Sequence, residues 1–82
     1  MGRPSKKAPS NFARNARTLG ENVRRLRQLA ELSQVGLAEA ADLRQALISE
    51  IERGESNPRL ESLTKIADAL KVRLTELFNY DQ

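Results

Sequence analysis

The sequence predicts an all-α protein, a compact bundle of four or five short helices. Three observations carry that expectation. From Leu19 onward, apolar residues recur three or four apart, the period of one face of an α-helix. No run alternates β-branched or aromatic residues in the manner of a strand. Caps and breakers, among them Ser33, Gly54 and Pro58, cut the periodic stretch into short pieces.

The elements follow in order. Leu19, Val23, Leu26 and Ala30 mark the first helix, with Arg24, Arg25 and Gln28 between them. The preceding "NFARNAR" reads as a short helical lead-in or an arm. Ser33 is a good N-cap for a second helix starting at Gln34, with Leu37, Ala38 and Ala41 on its apolar side. Gly36 in its first turns costs about 1 kcal/mol relative to Ala, which points to a close approach there. A third helix is expected from Arg44 to Arg53, closed by Gly54 as a C-terminal cap. "GESNP" is a loop in which Pro58 keeps Asn57 extended. The fourth helix carries Leu60, Leu63, Ile66, Ala67 and Leu70, and a short fifth carries Leu74, Leu77 and Phe78.

The 82 residues suffice for one small domain. With no Cys and no His, a disulfide scaffold, a Cys/His metal site and imidazole catalysis are all excluded. The carboxylates are scattered over helices, so no enzyme and no cofactor are expected. No apolar run approaches a membrane span, and "MGRPSKKAPSN" has no apolar stretch behind it, so a soluble cytoplasmic protein is the expectation. Charge is unevenly spread. Residues 1–27 hold eight Lys/Arg against one acid, and residues 28–82 hold six against ten, giving +7 and −4. A disordered basic tail over residues 1–11, ahead of a domain over residues 12–80, suits a polyanionic partner.

The second and third helices, separated by "AADL", have the size and spacing of a helix-turn-helix over about residues 34–53. Further blocks extend the likeness: "ENVRRLR" at 21–27, "LSQ" at 32–34, "LAE" at 37–39, "IS-IERG" at 48–54, "NP-LESL-KIA-AL" at 57–70 and "L-ELF" at 74–78. Together they resemble the Cro/C1-type (XRE-like) helix-turn-helix family of phage repressors and small restriction–modification controllers. The resemblance implies a lambda-repressor-like domain that binds double-stranded DNA sequence-specifically as a homodimer, as a repressor or an autoregulatory controller. It assigns base contacts in the major groove to Arg44, Gln45, Ala46, Leu47 and Glu50. Leu47 also stands where it can partly join the core. Phosphate contacts fall to Gln34, Ser49, Arg53, Asn57 and Arg59. Arg27 and Glu52 occupy positions that pair across the first and third helices. Leu74, Leu77, Phe78 and Tyr80 are the candidate dimer contacts. The alternative is an antitoxin, whose partner would be a toxin protein.

Two departures from the family pattern stand out. Arg44, Arg59 and Arg73 occupy cap positions that often hold Ser or Thr, each forgoing about 1 kcal/mol of capping. Glu31, Asp42 and Lys71 stand at helix ends where Gly is common, so these turns are either remodelled or strained. A marginally stable free protein, stabilised by its operator, is expected.

Overall fold

The computed structural model describes residues 11–80. The tail expected over residues 1–11 lies outside the described residues, apart from Asn11. Four α-helices and a short 3-10 helix follow one another: α1 (Phe12–Leu29), α2 (Gln34–Ala41), α3 (Gln45–Glu52), α4 (Leu60–Leu70) and the terminal 3-10 helix (Leu74–Phe78). There is no strand among the described residues. α1 packs on α3 and on the 3-10 helix, while α2 packs on α3 and α4.

The first helix starts at Phe12, well before the apolar period at Leu19, so "NFARNAR" belongs to α1 rather than to an arm. Ala16 explains the extension. It lies one helical turn before Leu19 and is buried with it. Val23, Leu37, Ile48, Ile51, Ile66 and Leu77 form the fully buried centre. Burial of each such side chain is worth about 1.5–3 kcal/mol.

Of the described glycines, Gly20 has the tightest surroundings. A Cβ added there would stand 2.4 Å from the carbonyl oxygen of Ile51 and 2.9 Å from that of Glu52. Only a glycine lets α1 run against the end of α3. By contrast, Gly36 approaches its own cap: its N–H donates to Ser33 Oγ at 2.9 Å, closing the first turn of α2.

All four α-helices end in the same hydrogen-bond pattern. Glu31 N–H reaches Gln28 O and Leu32 N–H reaches Arg27 O. Asp42 and Leu43 pair in the same way with Glu39 and Ala38, Gly54 and Glu55 with Ile51 and Glu50, and Lys71 and Val72 with Asp68 and Ala67. This is the Schellman motif, which places one residue in the left-handed region. Gly54 takes it freely at φ 73°, but the others are Glu31 (60°), Asp42 (57°) and Lys71 (61°). The turns are therefore not remodelled, and three L-residues adopt the glycine conformation.

Asn22 is buried in α1 and fastens the terminal element. Its Nδ2 donates to the carbonyls of Leu77 (3.1 Å) and Asn79 (2.8 Å). Arg25 Nη2 donates to its Oδ1 at 3.1 Å. Pinned this way, Leu77 faces inward and has no exposed surface. Its expected place at a dimer interface is thereby corrected: it closes the chain's own core.

Candidate nucleic-acid interface

The helix-turn-helix is built from α2, the left-handed Asp42, half-buried Leu43 and α3. Ile48, Ile51 and Glu52 turn one side of α3 inward. At about 100° per residue, Gln45, Ala46, Ser49, Glu50 and Arg53 share an arc of about 140° on the other side. Of these, all but the half-buried Ser49 are exposed. Arg44 precedes them as N-cap, with extended backbone and no side-chain cap bond, so its guanidinium is left at the exposed start of the helix. Leu47 falls outside the arc and packs against the core, half-buried.

The candidate phosphate residues divide into two groups. Asn57 and Arg59 are exposed, in the loop and at the N-cap of α4. Arg53 and Ser49 are already engaged: Arg53 Nη1 donates to Ser49 Oγ, and its Nε donates to Glu55 Oε1 at 3.0 Å. Gln34, the first residue of α2, turns its amide inward and donates to Glu52 Oε1 at 3.0 Å.

Glu52 is the hub behind this surface. Its side chain has no exposed area. Arg27 clasps it with Nε on Oε2 at 2.6 Å and Nη2 on Oε1 at 3.0 Å. Arg27 Nη1 also donates to Leu32 O at 2.9 Å, tying the α1–α2 turn to the same ion pair. Arg24 Nε adds a longer contact to Oε1 at 3.4 Å. Burial alone would raise the Glu52 carboxyl, but the hydrogen bonds from Arg27 and Gln34, the charge of Arg27 and the bond from Arg24 together hold it below the usual range. The bond to Glu52 raises Arg27 further, against a smaller opposing effect of burial. One carboxylate thus fixes α1, α2 and α3 together.

Residues 23–77 match the helix-turn-helix family profile. The chain belongs to that family. It carries the Cro/C1-type arrangement that its sequence blocks resemble. This helix-turn-helix chain is 35% identical over 60 residues to the immunity repressor protein of Bacillus phage phi105, a match covering 73% of the chain and 42% of that protein. It is 38% identical over 71 residues to antitoxin HigA1 of Mycobacterium tuberculosis, covering 87% and 48%. The chain spans under half the length of these two relatives. Its fold superposes on the restriction–modification controller protein C.AhdI from Aeromonas hydrophila with a TM-score of 0.77 and 34% identity, covering 79% of this chain and 98% of that one. Among the described residues, no group of three or more acidic residues could hold a metal ion, and no helix is long and apolar enough to cross a membrane.

Three participants escaped the sequence reading of this helix-turn-helix protein. Asn22 had a signal, a polar residue one position before the core Val23 on the buried side of α1. Gly20 had one too, a glycine inside a long helix. Arg24 had none, because spacing along α1 does not reveal which carboxylate lies opposite.

Proposed function

We propose that this protein is a sequence-specific regulator of transcription, a homodimeric repressor or autoregulatory controller that inserts α3 into the major groove of a palindromic operator. The observation that carries the reading is the exposed arc on α3, headed by Arg44 and Gln45 and backed by the Glu52 hub. Gln45 pairs with the N6/N7 edge of adenine, Arg44 with guanine or a phosphate, and Glu50 with cytosine N4. Ala46 offers its methyl to thymine, and Leu47 reaches a base from the flank of the helix. Asn57, Arg59 and the N-terminus of α2 at Gln34 fix the register through phosphates, with Ser49 and Arg53 at the rim. Leu74, Phe78 and Tyr80 form the dimer face. The exposure of Phe78 and Tyr80 supports this part.

Selection of bound duplexes from a random pool tests the proposal. A two-fold symmetric sequence is expected, and substitution of Gln45 should relax the preference at one base pair of each half-site. Weak, salt-sensitive binding without preference would overturn it. The likeness to HigA1 over 87% of the chain favours one second reading, an antitoxin that binds a toxin. Co-purification of a protein encoded beside it, whose toxicity it suppresses, would decide for that reading.

A further inference from the structure

We propose that Arg24, on α1, is a DNA-backbone contact, held beside the α2 N-terminus by Glu52 and passed to a phosphate when the duplex arrives. The inference deepens the DNA-binding reading and rests on it.

Two arginines of α1 meet the same carboxylate, and they meet it differently. Arg27 is largely covered, with 12% of its side chain exposed, and its Nε and both terminal nitrogens are engaged. It is built into the junction of three helices and has little left to offer a ligand. The Arg24 side chain is 53% exposed and touches Glu52 through Nε alone, at 3.4 Å. Its two terminal nitrogens make no hydrogen bond to the described residues.

Glu52 cannot hold Arg24 strongly. Oε1 already accepts from Arg27 Nη2 and the Gln34 amide, each at 3.0 Å, so Arg24 is its third and longest donor. A carboxylate offers about four lone-pair sites in all. The hub also carries two guanidinium charges against one carboxylate, which leaves a net positive charge on its open side. A partly exposed pair of this kind contributes little in water. The guanidinium fork matches phosphate oxygens, and a bidentate bond there is stronger than a single strained contact. Position agrees with the chemistry. Arg24 Nε and the Gln34 amide share one acceptor atom, so the Arg24 guanidinium lies near the side chain that opens α2, the end at which phosphate is expected.

The test uses the full chain, the selected duplex and a scrambled duplex. Affinity is measured across a salt series for the wild type, Arg24→Gln, Arg24→Lys and Arg27→Gln, with melting temperatures alongside. For Arg24→Gln the slope of log affinity against log salt should fall by about 1.8 for the bound dimer, about 0.9 for the phosphate contact of each protomer. The ratio of selected to scrambled affinity and the melting temperature should stay as in the wild type. Arg24→Lys should restore most of the slope, while Arg27→Gln should lower the melting temperature. An Arg24→Gln slope equal to wild type, in a wild type that binds the duplex, would overturn the Arg24 assignment alone. A melting temperature falling as far as in Arg27→Gln would also overturn it, by making Arg24 structural. A wild type with no salt-dependent duplex binding would overturn the DNA-binding reading itself.

Discussion

Glu52 has no exposed side-chain surface, yet it keeps its charge because donors from α1 and α2 answer it. Removing a donor leaves a buried charge uncompensated, so the loss exceeds what the pair adds. Arg27→Ala should therefore cost about 3 kcal/mol, a large part of the stability of a small domain, and weaken DNA affinity with it. An unchanged melting temperature would exclude this role. Acid acts on the same group. The folded carboxyl titrates below its unfolded value of about 4.3, so its contribution is fully present above that pH and is lost as pH falls through the folded value. Calorimetry from pH 7 to 3 should show melting temperature falling more steeply below about pH 4 in the wild type than in Glu52→Gln, which should melt lower at neutral pH.

The helix ends obey one rule with two solutions. Where the residue after the left-handed one is apolar, as with Leu32, Leu43 and Val72, it packs against the core and anchors the Schellman turn. Those are the ends that hold Glu31, Asp42 and Lys71 in the left-handed region. The end of α3 is followed by exposed Glu55 and has no such anchor, and there the residue is Gly54. Asp tolerates the conformation best. Glu31→Gly and Lys71→Gly should therefore each raise stability, by about 1 kcal/mol, or roughly 4–8 °C in a domain of this size. Asp42→Gly should gain less, and thermal melts of the three variants check the order. The uncapped starts are partly eased as well: Glu76 Oε2 accepts from the Arg73 N–H at 3.5 Å, while Arg44 and Arg59 have no side-chain cap bond. Much at this scale was readable from sequence. Period and caps located α2, α3 and α4, and the exposed arc of α3 follows from Ile48 and Ile51. The start of α1 was not readable, because only small Ala13 and Ala16 follow Phe12 before Leu19, with Arg14, Asn15, Arg17 and Thr18 between. The Arg27–Glu52 pair was expected from the family likeness, but the convergence of Gln34 and Arg24 on the same carboxylate was not readable, since they lie 18 and 28 residues away from it.

At the scale of the whole molecule, the two α1 arginines at the hub, the arc of α3 and the loop at Asn57 form separate positively charged or polar contributions to one expected DNA face. Specific duplex at 100 times its dissociation constant should stabilise the folded chain by about 2.7 kcal/mol, raising the melting temperature by roughly 10–20 °C at low salt. A scrambled duplex should raise it less, and no shift with the selected sequence would count against the proposed function. The left-handed residues then gain a second meaning. The free chain opens more often than a glycine-ended version would, by roughly fivefold for each 1 kcal/mol. Where cleavage is slower than reclosing, proteases remove a protein in proportion to its open population. Glu31, Asp42 and Lys71 should thus shorten the survival of the free chain under proteolysis relative to variants with glycine at those positions, and on the proposed function bound DNA should lengthen it.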